Sequence, residues 1–249
     1  MSGALQAIVF DFDGVIANSE PLHLRAYQQV LAEEGLTLTS HEYFSSYLGY
    51  DDVGAFTALA RDRGVAMSDG QIASLIERKG RCLRDMLRAG DVLFPGAADF
   101  IRGAAAAVPI AIASGALRHE IEEILDATQL RSHFLAIVAS GDTPQSKPSP
   151  APYALAFELL QRKDPGLTTS RCVAIEDSQW GLESARGAGL RCVGVSNSYP
   201  ASKLTSAELV VEGLDTLTLP MLDRLVGRPA KADGRPGPPP AGHHRTLGA

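Results

Sequence analysis

Three things are scarce in this sequence: basic clusters, long apolar runs and closely spaced cysteines. No stretch is crowded with Lys or Arg and the formal net charge is −6, so nucleic acid is not an expected partner. No apolar run approaches the length needed to cross a bilayer, so no membrane partner is expected. The opening MSGALQAIVF has no basic segment ahead of its short apolar run and does not read as a signal peptide. The cysteines are Cys82, Cys172 and Cys192. An odd, widely spaced set argues against a disulfide framework or a zinc site. Cys172 and Cys192 stand in apolar runs, as buried thiols do, and a reducing cytoplasm fits such usage.

What remains is an ordinary soluble composition, 45% hydrophobic and 21% charged over 249 residues, enough for one large or two medium domains. Short, almost continuously apolar runs at 7–10, 110–113, 135–139, 172–175, 192–195 and 209–211 read as strands covered on both faces. Helical patterns at 97–107, 117–128, 151–162, 178–188 and 215–225 alternate with them. Alternation of this kind predicts an α/β fold, a parallel sheet with helices on both sides, whose ligands bind beyond the carboxyl ends of the strands. One region departs from it. Between about 21 and 88 there are helical patterns and no convincing strand, which predicts a helical insertion after the first strand. The expected division is a core of residues 1–14 and 92–226, an inserted helical unit of 15–91 with hinges near 15–19 and 90–95, and a disordered tail of 227–249. That tail, rich in Pro and Gly, has too little apolar surface to offset its ordering entropy. Its His243 and His244 read as incidental.

The first strand ends in an unusual way, AIVFDFDGV, with Asp11 and Asp13 one residue apart. Side chains at i and i+2 of an extended segment share a side, so both carboxylates face one pocket if the geometry persists, and Gly14 permits a tight turn. The alternative is that Asp13–Gly14 is a plain turn and Asp11 a solvated edge. Three other segments bear on the choice. IAIASGA ends a strand in Ser114 and Gly115, where a hydroxyl and free N–H groups can hold an anion or where Ser114 merely caps a helix. QSKPSPAPY sets Lys147 ahead of three prolines, as a fixed cation or a solvated one. CVAIEDSQWG ends a strand in Glu176 and Asp177. Asp177 or Ser178 can cap the next helix, which explains one acid but not two. Four carboxylates gathered at neighbouring strand ends need raised pKa values or a cation, and a hard divalent ion such as Mg²⁺ suits oxygen ligands and phosphate.

DFDGV, IASG, Lys147 in SKPSPAPY and IEDSQWGLESARGAG, in that order, resemble the four motifs of the haloacid dehalogenase-like hydrolases. More closely, the chain resembles the phosphatase and β-phosphoglucomutase-like branch, with a helical cap after the first motif. The resemblance spans about residues 5–225 and implies a Rossmann-like, doubly wound core under a mobile cap. It implies Asp11 as the nucleophile forming an aspartyl-phosphate, and Asp13 as the acid that protonates the leaving group and then activates water. It implies Mg²⁺ held by Asp11, the carbonyl of Asp13, Glu176 and Asp177, directly or through water, and phosphate held by Ser114, Gly115 and Lys147. Dehalogenase members lack the second aspartate, so Asp13 argues against that chemistry.

In the insertion, Ile72, Leu75, Ile76, Leu83, Met86 and Leu87 make a helical stripe over 68–88, with Lys79 near its middle. Lys79 either snorkels or, as the resemblance implies, reaches the substrate. His23 is a second cap candidate, or simply a packed residue at a helix start. The segment YLGYDDVGAF departs from the mutase pattern. Those members place a basic residue after the cap glycine to grip a second phosphate, whereas Gly49 is followed here by Tyr50, Asp51 and Asp52. The departure disfavours a mutase unless Arg25 or Arg81 takes that role. The expected activity is therefore Mg²⁺-dependent hydrolysis of a small phosphorylated metabolite. A sugar phosphomutase and a non-enzymatic phospho-acceptor module are the alternatives, and the cap speaks against the second. Neither the substrate nor the oligomeric state is legible.

Overall fold

A computed structural model describes residues 4–47, 50, 52–88 and 92–229. Six strands form one parallel sheet: β1 (Ala7–Phe10), β2 (Ile110–Ala113), β3 (Ala136–Val138), β4 (Cys172–Glu176), β5 (Arg191–Val195) and β6 (Leu209–Val211), in the order β3-β2-β1-β4-β5-β6. After β1 come α1 (Glu20–Glu33), α2 (Ser40–Glu42), a π-helical turn (Tyr43–Tyr47), α3 (Asp52–Asp62) and α4 (Asp69–Arg88). The core helices are α5 (Ala97–Ala107), α6 (Arg118–Ala127), α7 (Ala151–Gln161), α8 (Gln179–Gly187) and α9 (Leu219–Val226). Each of the six expected strands is present within about a residue. The last helix starts later than 215, at Leu219, because Pro220 fits only its first turn.

Alternation across the pleat sorts the strand side chains into two layers. Ile8 and Phe10, Ile110 and Ile112, and Val173 and Ile175 point to the layer of α5, α6 and α9. Ala7 and Val9, Ala111 and Ala113, and Cys172 and Ala174 point to the layer of α7 and α8. The first layer is the bulkier, and there Phe10 meets Phe100 and Phe134 edge-on at 6.1 and 6.0 Å. The second is lined by small residues, so α7 and α8 sit close to the sheet.

The inserted helices bury a third cluster of their own, including Leu24, Tyr27, Leu31, Tyr43, Phe56, Leu59 and Leu75. Leu22 and Leu87, at the two ends of the insertion, pack instead into the first core layer. The connecting segments run side by side. Asn18 N–H donates to the Val92 carbonyl at 2.8 Å, Phe94 N–H donates to that of Ile16 at 3.0 Å, and Val15, Ile16 and Ala17 are fully buried. The expected hinge at 15–19 is thus a hydrogen-bonded pairing of two chain segments. In the other, residues 90–91 lie outside the described residues. At the far end Arg191 Nη1 donates to the Arg228 carbonyl at 2.9 Å. Residues 230–249, with His243 and His244, lie outside the described residues.

Candidate active site

Strand parity places the first two acids. Ala7 pairs with Cys172 and Val9 with Ala174. Two residues further on, Asp11 and Glu176 stand on the same face of adjacent strands, toward α7. Two carboxylates side by side under a helix need a positive partner, and it is Lys147, ahead of α7. Its Nζ donates to Asp11 Oδ1 at 2.7 Å and to Glu176 Oε1 at 2.6 Å. Tyr153, fully buried on α7, donates its hydroxyl to the same Glu176 oxygen at 2.9 Å, and its ring lies 5.0 Å from the ammonium. Glu176 Oε2 accepts from the N–H groups of Asp177 and Ser178 and from the Ser178 hydroxyl. Glu176 is therefore fully buried with both oxygens partnered. Ser178 is also the α8 N-cap, accepting from Gly181 N–H at 3.1 Å, which leaves Asp177 free for another task.

Asp11, Glu176 and Asp177 offer oxygens within 4.8 Å of one another. Burial, followed by the charges of its acidic neighbours, holds the Asp11 carboxyl well above the usual range, even against Lys147. Burial likewise lifts Asp177 to about 6, opposed by a hydrogen bond from Ser198. Burial alone would weaken the ammonium of Lys147, but Asp11 and Glu176 more than reverse it and keep it charged. When ionised, three carboxylates against one lysine leave two negative charges. That deficit and an all-oxygen donor set fit a hard dication. Because both Glu176 oxygens have partners, Asp11 and Asp177 have the freer donor atoms. The site is tightly enclosed, for a Cβ on Gly14 would fall 1.9 Å from Asp177 Oδ2.

Asp13 lies one step outward. Its Oδ1 accepts from Ser19 Oγ at 3.0 Å, and burial lifts its carboxyl to about 6 despite that bond. It lines a cavity of about 610 Å³ between the sheet end and the inserted helices. Gly115, Ala116 and Leu117 form part of the core-side wall; His23, Tyr27, Tyr43, Tyr50 and Asp52 come from the other side. Ser114 Oγ accepts from Ala116 N–H at 3.0 Å, so its own O–H stays available as a donor. Since α6 begins only at Arg118, Ser114 makes a turn and is not that helix's cap.

His23 lines the cavity and Lys79 does not. Lys79 is buried, donating to Asp52 Oδ1 and contacting His23 Nδ1 at 3.1 Å. Lys79 thus stands behind the cavity wall, against two residues that line it. Burial, reinforced by the Lys79 charge, lowers His23 to about 4, so its ring is neutral near pH 7. Of the segment after the cap glycine, Gly49 and Asp51 lie outside the described residues, while Tyr50 and Asp52 line the cavity. Sequence reading missed Tyr153, Ser19, Ser198 and Asn197, whose side chain donates to the Gly14 carbonyl at 2.8 Å. Tyr153 carried one faint signal, a lone phenol in a largely apolar helix.

Comparison with known proteins agrees with this fold. The protein CbbY of Rhodobacter capsulatus is 34% identical over 204 residues, 78% of this chain and 87% of that protein. Fructose-1-phosphate phosphatase YqaB of Escherichia coli K12 is 26% identical over 188 residues, 76% of this chain and 95% of that protein. A crystal structure of Rhodobacter sphaeroides CbbY in complex with xylulose-(1,5)bisphosphate superposes with a TM-score of 0.65 at 28% identity, covering 86% and 96% of the two chains. The family model of the haloacid dehalogenase-like hydrolases matches residues 5–189, all four motif segments included. The chain belongs to the haloacid dehalogenase-like hydrolases, as an enzyme of their phosphatase branch.

Proposed function

We propose that this enzyme is a Mg²⁺-dependent phosphatase that hydrolyses a small phosphate monoester, a sugar phosphate or similar metabolite, through an aspartyl-phosphate on Asp11. One observation carries the reading. Lys147 joins Asp11 to Glu176 beside Asp177, and Asp13, two residues on from Asp11, lines the cavity. An Asp11 oxygen attacks phosphorus while Asp13 gives its proton to the departing alkoxide. Asp13 then takes a proton from the water that opens the acyl phosphate, restoring the Asp11 carboxylate. A carboxyl lifted to about 6 is well matched to giving and taking a proton near neutrality. Lys147 has three N–H donors and uses two on carboxylates. The third, with the Ser114 hydroxyl and the backbone at Gly115, holds the phosphoryl oxygens. Asp11, Asp177 and the Asp13 carbonyl would hold Mg²⁺, with Glu176 adding charge from behind. When bound, the ion neutralises charge on the transferring group. Splitting the reaction through a covalent intermediate suits a bond whose uncatalysed hydrolysis is among the slowest known.

YqaB acts on fructose 1-phosphate by its name, and the CbbY relative was crystallised with a sugar bisphosphate. Both support a phosphorylated sugar as substrate. Three free cysteines support a reducing cytoplasm as the setting. Among the described residues no helix is long and apolar enough to cross a membrane.

The test is steady turnover of p-nitrophenyl phosphate and of a panel of sugar phosphates, with Mg²⁺ and with chelator. Asp11→Asn is expected to abolish turnover. Asp13→Asn should cost at least about 10²-fold, as general acid–base groups do, and leave phosphoenzyme to accumulate. Wild-type rates in either variant would refute the assignment, and isomerised product in place of free phosphate would make the enzyme a mutase.

A further inference from the structure

The cavity beyond Asp13 is short of positive charge. Its ionisable walls are Asp13, Glu20, Asp52, Glu120 and the imidazoles of His23 and His119; among the described residues no Lys or Arg lines it. Arg25 is exposed and not part of the wall, and Arg81 pairs with Glu77 at the surface. Lys79 stands behind this wall, and its charge is opposed there by Asp52. It donates to Asp52 Oδ1 and sits 4.4 Å over the Tyr27 ring, while the Tyr27 hydroxyl donates to the same oxygen at 2.6 Å. Asp52 keeps 31% of its side chain exposed, so the wall shows a carboxylate with the lysine behind it. The rest of the surface includes Tyr43, Tyr50, Val53 and Leu117, apolar faces and phenols that suit the carbons and hydroxyls of a polyol. An anionic group placed here would lose its hydration and meet carboxylates in place of counter-charges.

We propose that Asp52 is a specificity-determining residue. By masking Lys79 at the cavity wall it restricts the enzyme to phosphate monoesters whose remaining part is an uncharged polyol, and it turns bisphosphates away. The proposal rests on the phosphatase reading above and adds a substrate class to it.

The test uses fructose 1-phosphate and fructose 1,6-bisphosphate, which share a 1-phosphate and differ only in the second one. Each is measured as substrate and as competitor of p-nitrophenyl phosphate turnover, so a value is obtained whether or not it is hydrolysed. For the wild type the monophosphate should be favoured at least about tenfold in apparent affinity, equivalent to about 1.4 kcal/mol. Asp52→Asn keeps an oxygen for Lys79 and Tyr27 but leaves the lysine's charge unmasked, and should close most of that gap by improving the bisphosphate. If that variant does not fold, the wild-type gap should still narrow as ionic strength rises from about 0.05 M to about 1 M, where the screening length falls to about 3 Å. A wild type that prefers the bisphosphate, a gap unchanged in Asp52→Asn, or a gap indifferent to salt overturns the proposal and leaves the phosphatase reading standing. No turnover of p-nitrophenyl phosphate or of either sugar phosphate overturns the phosphatase reading itself, and this proposal with it.

Discussion

Single residues hold the site together by being absent as often as by being present. Gly181 is the clearest case. A Cβ there would lie 1.8 Å from Glu176 Oε1 and 1.9 Å from its Cδ. Glu176 cannot swing aside, because Lys147, Tyr153 and the start of α8 hold both its oxygens. Gly181→Ala should therefore cost at least about 2 kcal/mol, in the range of overpacked cores, and reduce turnover further by displacing Lys147. Gly103 gives the opposite sign: it sits exposed in α5 with nothing within 4 Å of a Cβ and with ordinary helical φ. Gly103→Ala should stabilise by up to about 1 kcal/mol. Urea unfolding of the two variants, with activity measured alongside, checks both; equal effects would mean that the neighbours of Gly181 are not rigid. Tyr153→Phe is a gentler probe of the same carboxylate. Losing one hydrogen bond to a buried charge should cost about 1.5–3 kcal/mol.

Between elements, the joint of α1 and α4 titrates. His23 on α1 meets Lys79 on α4, with Asp52 of α3 and the Tyr27 ring closing the group. Folding lowers the imidazole from an ordinary 6.5 to about 4, so the unfolded chain binds the proton more readily. Stability from this group is complete above pH about 6.5 and is lost as pH falls toward 4. The shift corresponds to at most about 3 kcal/mol. Asp13 and Asp177, both raised to about 6, push the other way over part of that window, since the folded state holds their protons more tightly. The difference between the wild-type and His23→Asn stability curves isolates the histidine. It should be flat above pH 6.5 and shift in favour of the variant below; a constant offset across the range refutes the coupling. This joint was also where sequence reading reached its limit. The helical stripe with Lys79 near its middle was legible, because periodicity is local. The lysine's partner was not, because Asp52 stands 27 residues away and only tertiary packing brings it to the ammonium. Strands were easier. With both faces covered they must be apolar throughout, so β1, β2 and β6 were readable to the residue. Asp11 and Glu176 were legible as acids at strand ends. Their adjacency needed the register of β1 on β4, and Tyr153 and Ser198 gave no local sign of their target.

For the molecule as a whole, the sheet order decides where charge collects. β1 lies between β2 and β4, so the ends of all three strands open on the same point, and the insertion that starts after β1 has to fold back over it. The insertion buries its own cluster and touches the first core layer through Leu22 and Leu87. The insertion and the core therefore hold separate interiors, with the cavity between them. Folding the core nevertheless forces Asp11, Glu176 and Asp177 together with, among the described residues, Lys147 as their cation. That is an electrostatic cost borne by the native state and absent from the unfolded chain. A dication bound there would relieve it only in the folded form, so Mg²⁺ should act as a folding ligand. At about 100 times its dissociation constant a ligand of the native state adds about 2.7 kcal/mol. For a chain of this size that raises Tm by roughly 5–10 °C. The rise should be reversed by chelator, nearly abolished in Asp177→Asn and kept in Asp13→Asn, whose proposed contribution to the ion is its backbone carbonyl. Asp177→Asn should also be the more stable protein without metal, having one buried charge fewer. Thermal melts of the three proteins with and without Mg²⁺ give the answer without any assay of turnover. An equal rise in all three would place the ion elsewhere, and no rise in the wild type would leave the crowded carboxylates without their counter-charge.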